Sequence, residues 1–168
     1  LQVLRDQLAG GAKIGGTVGI GHTRWATHGK PSDENSHPHT SESGRFAIVH
    51  NGIIENYQYL RKFLTDKGVR FTSETDTETV AHLLDYYYKG DILDAVIEVL
   101  RRVEGSYALG ILCADQPDEI VAVRKDSPLV VGLGADGNYI ASDIPAILPH
   151  TRDTYQLTDN EIAVIRKD

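Results

Sequence analysis

The sequence holds no methionine, one tryptophan and one cysteine in 168 residues. The lone Cys113 cannot close an internal disulfide, which removes the disulfide-built secreted scaffolds from consideration. Basic clusters are equally scarce: no run of Lys or Arg exceeds two, and 24 acidic residues against 17 basic ones leave a net charge of -7. A phosphate backbone or an anionic membrane surface would on balance be repelled, so neither nucleic acid nor membrane is expected as a partner. No apolar run approaches the ~20 residues that span a bilayer, and no signal-peptide pattern opens the chain. These absences predict a cytoplasmic protein. Repeats, linkers and low-complexity tracts are missing too. With 40% hydrophobic residues, a chain of this length can bury a real core, and one domain is expected.

What the sequence does have is concentrated. The stretch GHTRWATHGKPSDENSHPH, Gly21 to His39, carries four histidines, Arg24 and the only tryptophan, Trp25, in 19 residues. On one side lies TVGIGHT and on the other RFAIVHN, both short β-prone runs, so the histidine-rich segment is expected as a loop projecting from two strand ends. Further along, IENYQYLRKFLTDKG spaces Tyr57, Leu60, Phe63 and Leu64 for a helix ended by Gly68. DTETVAHLLDYYYKG does the same with Val80, Leu83, Leu84 and Tyr87, started by Thr75 or Asp76 and ended by Gly90. A third helix is expected from Asp91 as N-cap through Ile92, Ala95, Val96, Val99 and Val103. At the start, LQVLRDQLAGG reads as the tail of a helix stopped at Gly10-Gly11. After Val103 the period changes to two, in SYALGILCA, EIVAVR, LVVGLG, YIASD, TYQLT and EIAVIR, separated by the turn chemistry of DQPDE, GADGN and TDNE. Strands, then helices, then a run of antiparallel strands predict an α+β protein with helices covering a sheet or a pair of stacked sheets.

The candidate chemistry sorts by spacing. His22, His28, His37 and His39 invite a zinc site, but none of the HExxH or Cys-His spacings that build one occurs. The bland alternative is that these are polar loop residues bonded to backbone groups. Cys113, in ALGILCAD, has no neighbouring histidine or cation to lower its pKa and reads as a small core residue rather than a nucleophile. In HNGIIEN, Asn51 and Gly52 sit at a strand-to-helix junction, where a glycine N–H and an asparagine amide can aim at one oxygen as an oxyanion site requires. An ordinary Asn-Gly turn fits the dipeptide as well. Asp76, in SETDTET, falls at a helix N-terminus, where capping is the plain role. Arg24 by itself is a surface salt-bridge residue and Trp25 a core aromatic. As a pair, Arg24 and Asp76 would supply the cation and anion that hold the carboxylate and ammonium of a free amino acid.

The motifs GHTRWATHG, HPH, VHNGIIEN, SETDTE and SPLVVGLG...YIASD occur in an order that resembles the class II glutamine amidotransferases. TRWATHG with SETDTE is similar to the glucosamine-6-phosphate synthase branch, and the resemblance covers essentially the whole chain. It implies the N-terminal-nucleophile hydrolase fold, an αββα sandwich of two antiparallel sheets. It implies that Arg24 clamps the α-carboxylate of glutamine, that Thr27 and His28 line that end of the pocket, that Asp76 takes the α-ammonium and that Trp25 closes over the substrate. Asn51 and Gly52 would form the oxyanion hole. The nucleophile implied by the resemblance is a cysteine at the start of the mature chain, acting with its own α-amine as base, and this sequence does not contain it. Residues 1–168 are therefore expected to be a glutaminase domain lacking its N-terminal segment and the C-terminal sugar isomerase domains that bind fructose 6-phosphate, within an enzyme that forms homo-oligomers and needs neither cofactor nor metal. The other readings are a catalytically empty glutamine-binding fragment and the amidotransferase domain of another class II enzyme.

Overall fold

The structure is a computed structural model that describes residues 2–8, 15–23 and 30–167. In chain order the elements are α1 (Gln2–Gln7), β1 (His39–Thr40), β2 (Phe46–Ile54), α2 (Tyr57–Asp66), α3 (Asp76–Tyr87), α4 (Ile92–Leu100), β3 (Gly105–Cys113), β4 (Gln116–Lys125), β5 (Val130–Gly134), β6 (Gly137–Ala141), α5 (Ile144–Ile147), β7 (Thr154–Gln156) and β8 (Ile162–Ile165). Two sheets form, ordered β1-β2-β3-β4-β8 and β6-β5-β7. Every strand pair is antiparallel.

Side-chain alternation along the larger sheet separates two cores. In β3, Tyr107, Leu109, Ile111 and Cys113 point one way, joining Phe46, Ile48, Val121 and Val123 against the buried faces of α2, α3 and α4. Ala108 and Leu112 point the other way, with Ile120 and Ala122 of β4, and meet Leu129, Val131, Ile140 and Leu157 from the smaller-sheet region. The helix-side core holds the large fully buried residues, Leu64, Leu83, Leu84 and Ile92 among them, each stabilising the fold by about 1.5–3 kcal/mol through burial. The inter-sheet face mixes the small Ala108, Gly110 and Ala122 with larger aliphatic residues. An added Cβ at Gly110 would sit 2.8 Å from Ile140 Cδ1 and 3.1 Å from Val49 Cγ2, so the glycine lets the second sheet approach. On the outer face of the smaller sheet, Ile147 of α5 closes onto Gly132, where a Cβ would collide with it. Helices, two antiparallel sheets and this short outer helix follow the expected layer order.

The helix starts are set by local chemistry. Thr75 is the N-cap of α3 and accepts from the Glu78 N–H (3.3 Å), which settles the choice between Thr75 and Asp76 as its start, and Asp91 caps α4 by accepting from the Asp94 N–H (3.0 Å). Gly68, with positive φ, is the stop residue after α2, whereas α3 ends where Tyr88 turns extended, two residues before the expected Gly90. The expected strand at TVGIGHT does not form: residues 17–23 are irregular. Val18 and Ile20 pack on the inter-sheet core, with the glycines Gly19 and Gly21 beside them. The segment crosses the sheet face rather than pairing along an edge. Gly10-Gly11 lie outside the described residues.

Candidate active site

A cavity of about 680 Å³ opens between the sheets, lined by residues 19–23, by Val49, His50 and Asn51 of β2, by Ala108 and Gly110 of β3, and by residues 138–142 beside β6. The small Ala108 side chain helps leave the space. Alternation turns Val49 and Asn51 toward it, while His50 turns its ring back toward α3, where its Nδ1 lies 3.0 Å from Thr77 Oγ1.

Asn51 is half-buried at the cavity wall, and its Oδ1 lies 2.8 Å from His22 Nε2. Its Nδ2 hydrogen-bonds to no described residue, so the amide presents a donor. Gly52 follows inside β2, with φ 113°, and any Cβ there would collide with the Ser106 carbonyl. Both the left-handed backbone and the close approach to β3 require glycine. The pair thus sits in the last turns of the strand rather than in the connection to α2, and the ladder with Ala108 and Tyr107 fixes it more firmly than an Asn-Gly turn would.

Asp76 is the first residue of α3 and is buried. Its Oδ2 accepts from the Ile54 N–H (2.8 Å) and its Oδ1 from the Thr77 N–H (3.0 Å), tying the helix start to the end of β2. His50 Nδ1 is 3.9 Å from Oδ2, and no Lys or Arg reaches the carboxylate among the described residues. Burial pushes the His50 pKa below its ordinary value against the pull of the Asp76 charge, so the ring is a poor counter-ion. Asp76 is not among the residues lining the inter-sheet cavity; its carboxylate meets the backbone at the end of β2.

Glu78 holds the segment in front of α3. It accepts from Thr72 N–H (2.7 Å) and Oγ1 (2.9 Å) and from Ser73 N–H (2.7 Å) and Oγ (2.6 Å). His82 Nε2 lies 3.4 Å away, and its Nδ1 accepts from the Glu42 N–H. Burial would raise the Glu78 pKa, but the bonds from His82, Ser73 and the two amides hold it far below the carboxylate range. Thr75-x-x-Glu78 has the spacing of a capping box, yet the glutamate reaches past the cap residue to the two amides before it.

Of the residues singled out by sequence, Asn51, Gly52 and Asp76 converge on the end of β2, whereas Arg24, Trp25, Thr27 and His28 lie outside the described residues. His22 stacks on His37 with ring centroids 4.3 Å apart, and His37 meets His39 edge-on at 4.9 Å. His39 Nε2 is 3.1 Å from Thr75 Oγ1. Among the described residues no three His, Cys, Asp or Glu side chains are grouped to hold a metal, and no helix is long and apolar enough to cross a membrane. Sequence reasoning missed the contact of His22 with Asn51, the place of His50 against α3 and the Glu78 network. The neighbourhood of His50 and Asn51 in VHNGIIEN was the available signal for one of these.

Two antiparallel sheets with helices packed on them are the layer order of the N-terminal-nucleophile amidohydrolase fold. Structural neighbours agree: the glutamine phosphoribosylpyrophosphate amidotransferase of B. subtilis, complexed with ADP and GMP, superposes with a TM-score of 0.66 at 25% identity, covering 88% of this chain and 34% of that one. A structure titled as the allosteric regulatory enzyme of purine biosynthesis superposes with a TM-score of 0.67 at 26% identity. A family profile described as "Glutamine amidotransferase domain" matches residues 22–149, and the chain belongs to that family. Curated relatives named glutamine--fructose-6-phosphate aminotransferase [isomerizing] include those of Caldanaerobacter subterraneus, 64% identical over 168 residues, and Clostridium tetani, 63% identical over 153. The chain spans 28% and 25% of those two proteins.

Proposed function

We propose that the chain is the glutaminase domain of a cytoplasmic glutamine:fructose-6-phosphate aminotransferase. Glutamine would be hydrolysed and its ammonia passed to fructose 6-phosphate, giving glucosamine 6-phosphate for UDP-N-acetylglucosamine synthesis. The observation that carries the reading is the Asn51 amide, its donor end without a partner among the described residues, on the wall of the cavity beside a glycine at which a Cβ would collide with β3. The relatives' names supply the acceptor. A sugar isomerase domain elsewhere in the polypeptide would bind fructose 6-phosphate, and the whole enzyme would assemble as a homo-oligomer.

In this reading a cysteine thiolate from a segment that this sequence does not contain attacks the glutamine amide carbon. The carbonyl π pair moves to oxygen, and the Asn51 amide and the Gly52 N–H donate to that oxyanion. Collapse expels ammonia, protonated by the amine that first took the thiol proton; an α-amine of pKa about 7.7–8.0 suits both roles. Water then cleaves the thioester to glutamate. Asp76, a buried carboxylate with no cationic partner among the described residues, suits the α-ammonium. Arg24 would hold the α-carboxylate with Thr27 and His28 beside it, and Trp25 would cover the pocket. No step requires a cofactor.

The test compares glutamine with free ammonia as nitrogen donor in the full-length enzyme. Asn51→Ala should abolish most glutamine-dependent synthesis and spare ammonia-dependent synthesis. Equal loss of both would assign Asn51 a structural role.

A further inference from the structure

We propose that His22 is a positioning residue that sets the Asn51 side-chain amide donor-outward, an inference that rests on the oxyanion role proposed for Asn51. A primary amide fits its slot in two orientations of nearly identical shape, and only one of them presents N–H to the cavity; the other presents oxygen, which repels an oxyanion. The choice falls to whatever grips the far end. That grip is His22 Nε2, 2.8 Å from Asn51 Oδ1, from a segment 29 residues earlier in the chain.

The ring can favour either orientation according to which nitrogen carries its proton. With Nε2–H, it donates to Oδ1 and leaves Nδ2 facing the cavity. With Nδ1–H, its bare Nε2 would accept from a flipped amide and turn the oxygen outward. His22 Nδ1 decides between them: it is buried and has no hydrogen-bond partner among the described residues. A proton placed there would be a buried unsatisfied donor, costlier than a buried lone pair on a ring that stacks on His37. Burial of Nδ1 without a described partner therefore selects Nε2–H, and Nε2–H selects the productive amide.

Three measurements test this. In the full-length enzyme His22→Phe, which keeps the stacking ring and removes the donor, should lower glutamine-dependent kcat about 10- to 100-fold, with glutamine KM and ammonia-dependent synthesis little changed. His22→Gln, whose amide restores a donor near the Nε2 position, should recover much of the loss. The double variant His22→Phe with Asn51→Ala should be no slower than Asn51→Ala alone, since both act through one donor. Independently of activity, imidazole ¹⁵N shifts should show the His22 proton on Nε2. A proton on Nδ1, wild-type kcat in His22→Phe, or multiplicative losses in the double variant would overturn the inference. Wild-type glutaminase activity in Asn51→Ala would instead remove the oxyanion reading on which it rests.

Discussion

At the scale of single residues, the Asn51-Gly52 pair makes two separable predictions. Losing the Asn51 donor should lower glutamine-dependent kcat by about 10²–10³ with KM nearly constant, because the donor acts on charge that develops only in the transition state. Gly52→Ala should fail differently. Its Cβ meets the Ser106 carbonyl in a backbone already at φ 113°, so thermal or denaturant unfolding should report a loss of about 2–5 kcal/mol. Asp76 calls for a gentler change, since its carboxylate also accepts the Ile54 and Thr77 amides. Asp76→Asn keeps an acceptor and removes the charge. It should raise the glutamine KM about 10- to 100-fold, the factor set by one charge-assisted bond, and an unchanged KM would remove Asp76 from the ammonium site. The HNG and SETDTE motifs made these residues legible in the sequence. His22 was not, because its contact joins positions 29 apart through the course of an irregular segment, and nothing in residue type or spacing encodes that.

At the scale of elements, helix α3 shows how local chemistry and burial combine. Thr75 as cap, Asp76 and Glu78 in the first turn and the Val80, Leu83 and Leu84 face are all sequence signals, and the helix forms where they place it. The strand expected over TVGIGHT failed because period-two patterning registers Val18 and Ile20 without knowing that the segment packs across a sheet rather than beside one. β1 and α5, of two and four residues, are too short for any period to reveal. The Glu78 network has a pH consequence. A carboxyl whose folded-state pKa is depressed from 4.5 binds fewer protons folded than unfolded, so its stabilisation is full above about pH 4.5 and is lost as pH falls through the folded value. His50, depressed from 6.5 by burial, has the same sign in a higher window: its contribution is full above pH 6.5 and shrinks on acidification below it. Unfolding free energy measured from pH 7 to pH 3 should therefore fall in two stages, the first reduced in His50→Gln and the second reduced in Glu78→Gln. Glu78→Ala, which strands the donors of Thr72 and Ser73, should cost about 3–5 kcal/mol at neutral pH.

At the scale of the whole molecule, binding and chemistry are separable, and Cys113 shows why. It pairs with Phe46 at one end of the β2-β3 ladder while Asn51 pairs with Ala108, five positions along, a separation of about 17 Å at the ~3.4 Å rise of an antiparallel strand. Its side chain also faces the helices, fully buried in the larger core, whereas Asn51 faces the cavity between the sheets. The only thiol in these 168 residues thus cannot reach an acyl group bound at the proposed oxyanion site. The polypeptide of residues 1–168 should release no ammonia from glutamine and form no adduct with a glutamine-like diazoketone, measured by ammonia assay and intact mass. In the full-length enzyme, Cys113→Ser should leave glutamine hydrolysis nearly unchanged and lower stability only modestly, because it exchanges one small buried side chain for a slightly smaller, more polar one. Hydrolysis by residues 1–168 alone, or its abolition by Cys113→Ser in a protein that still unfolds cooperatively, would place the nucleophile on β3 and reverse the assignment of the two sheet faces.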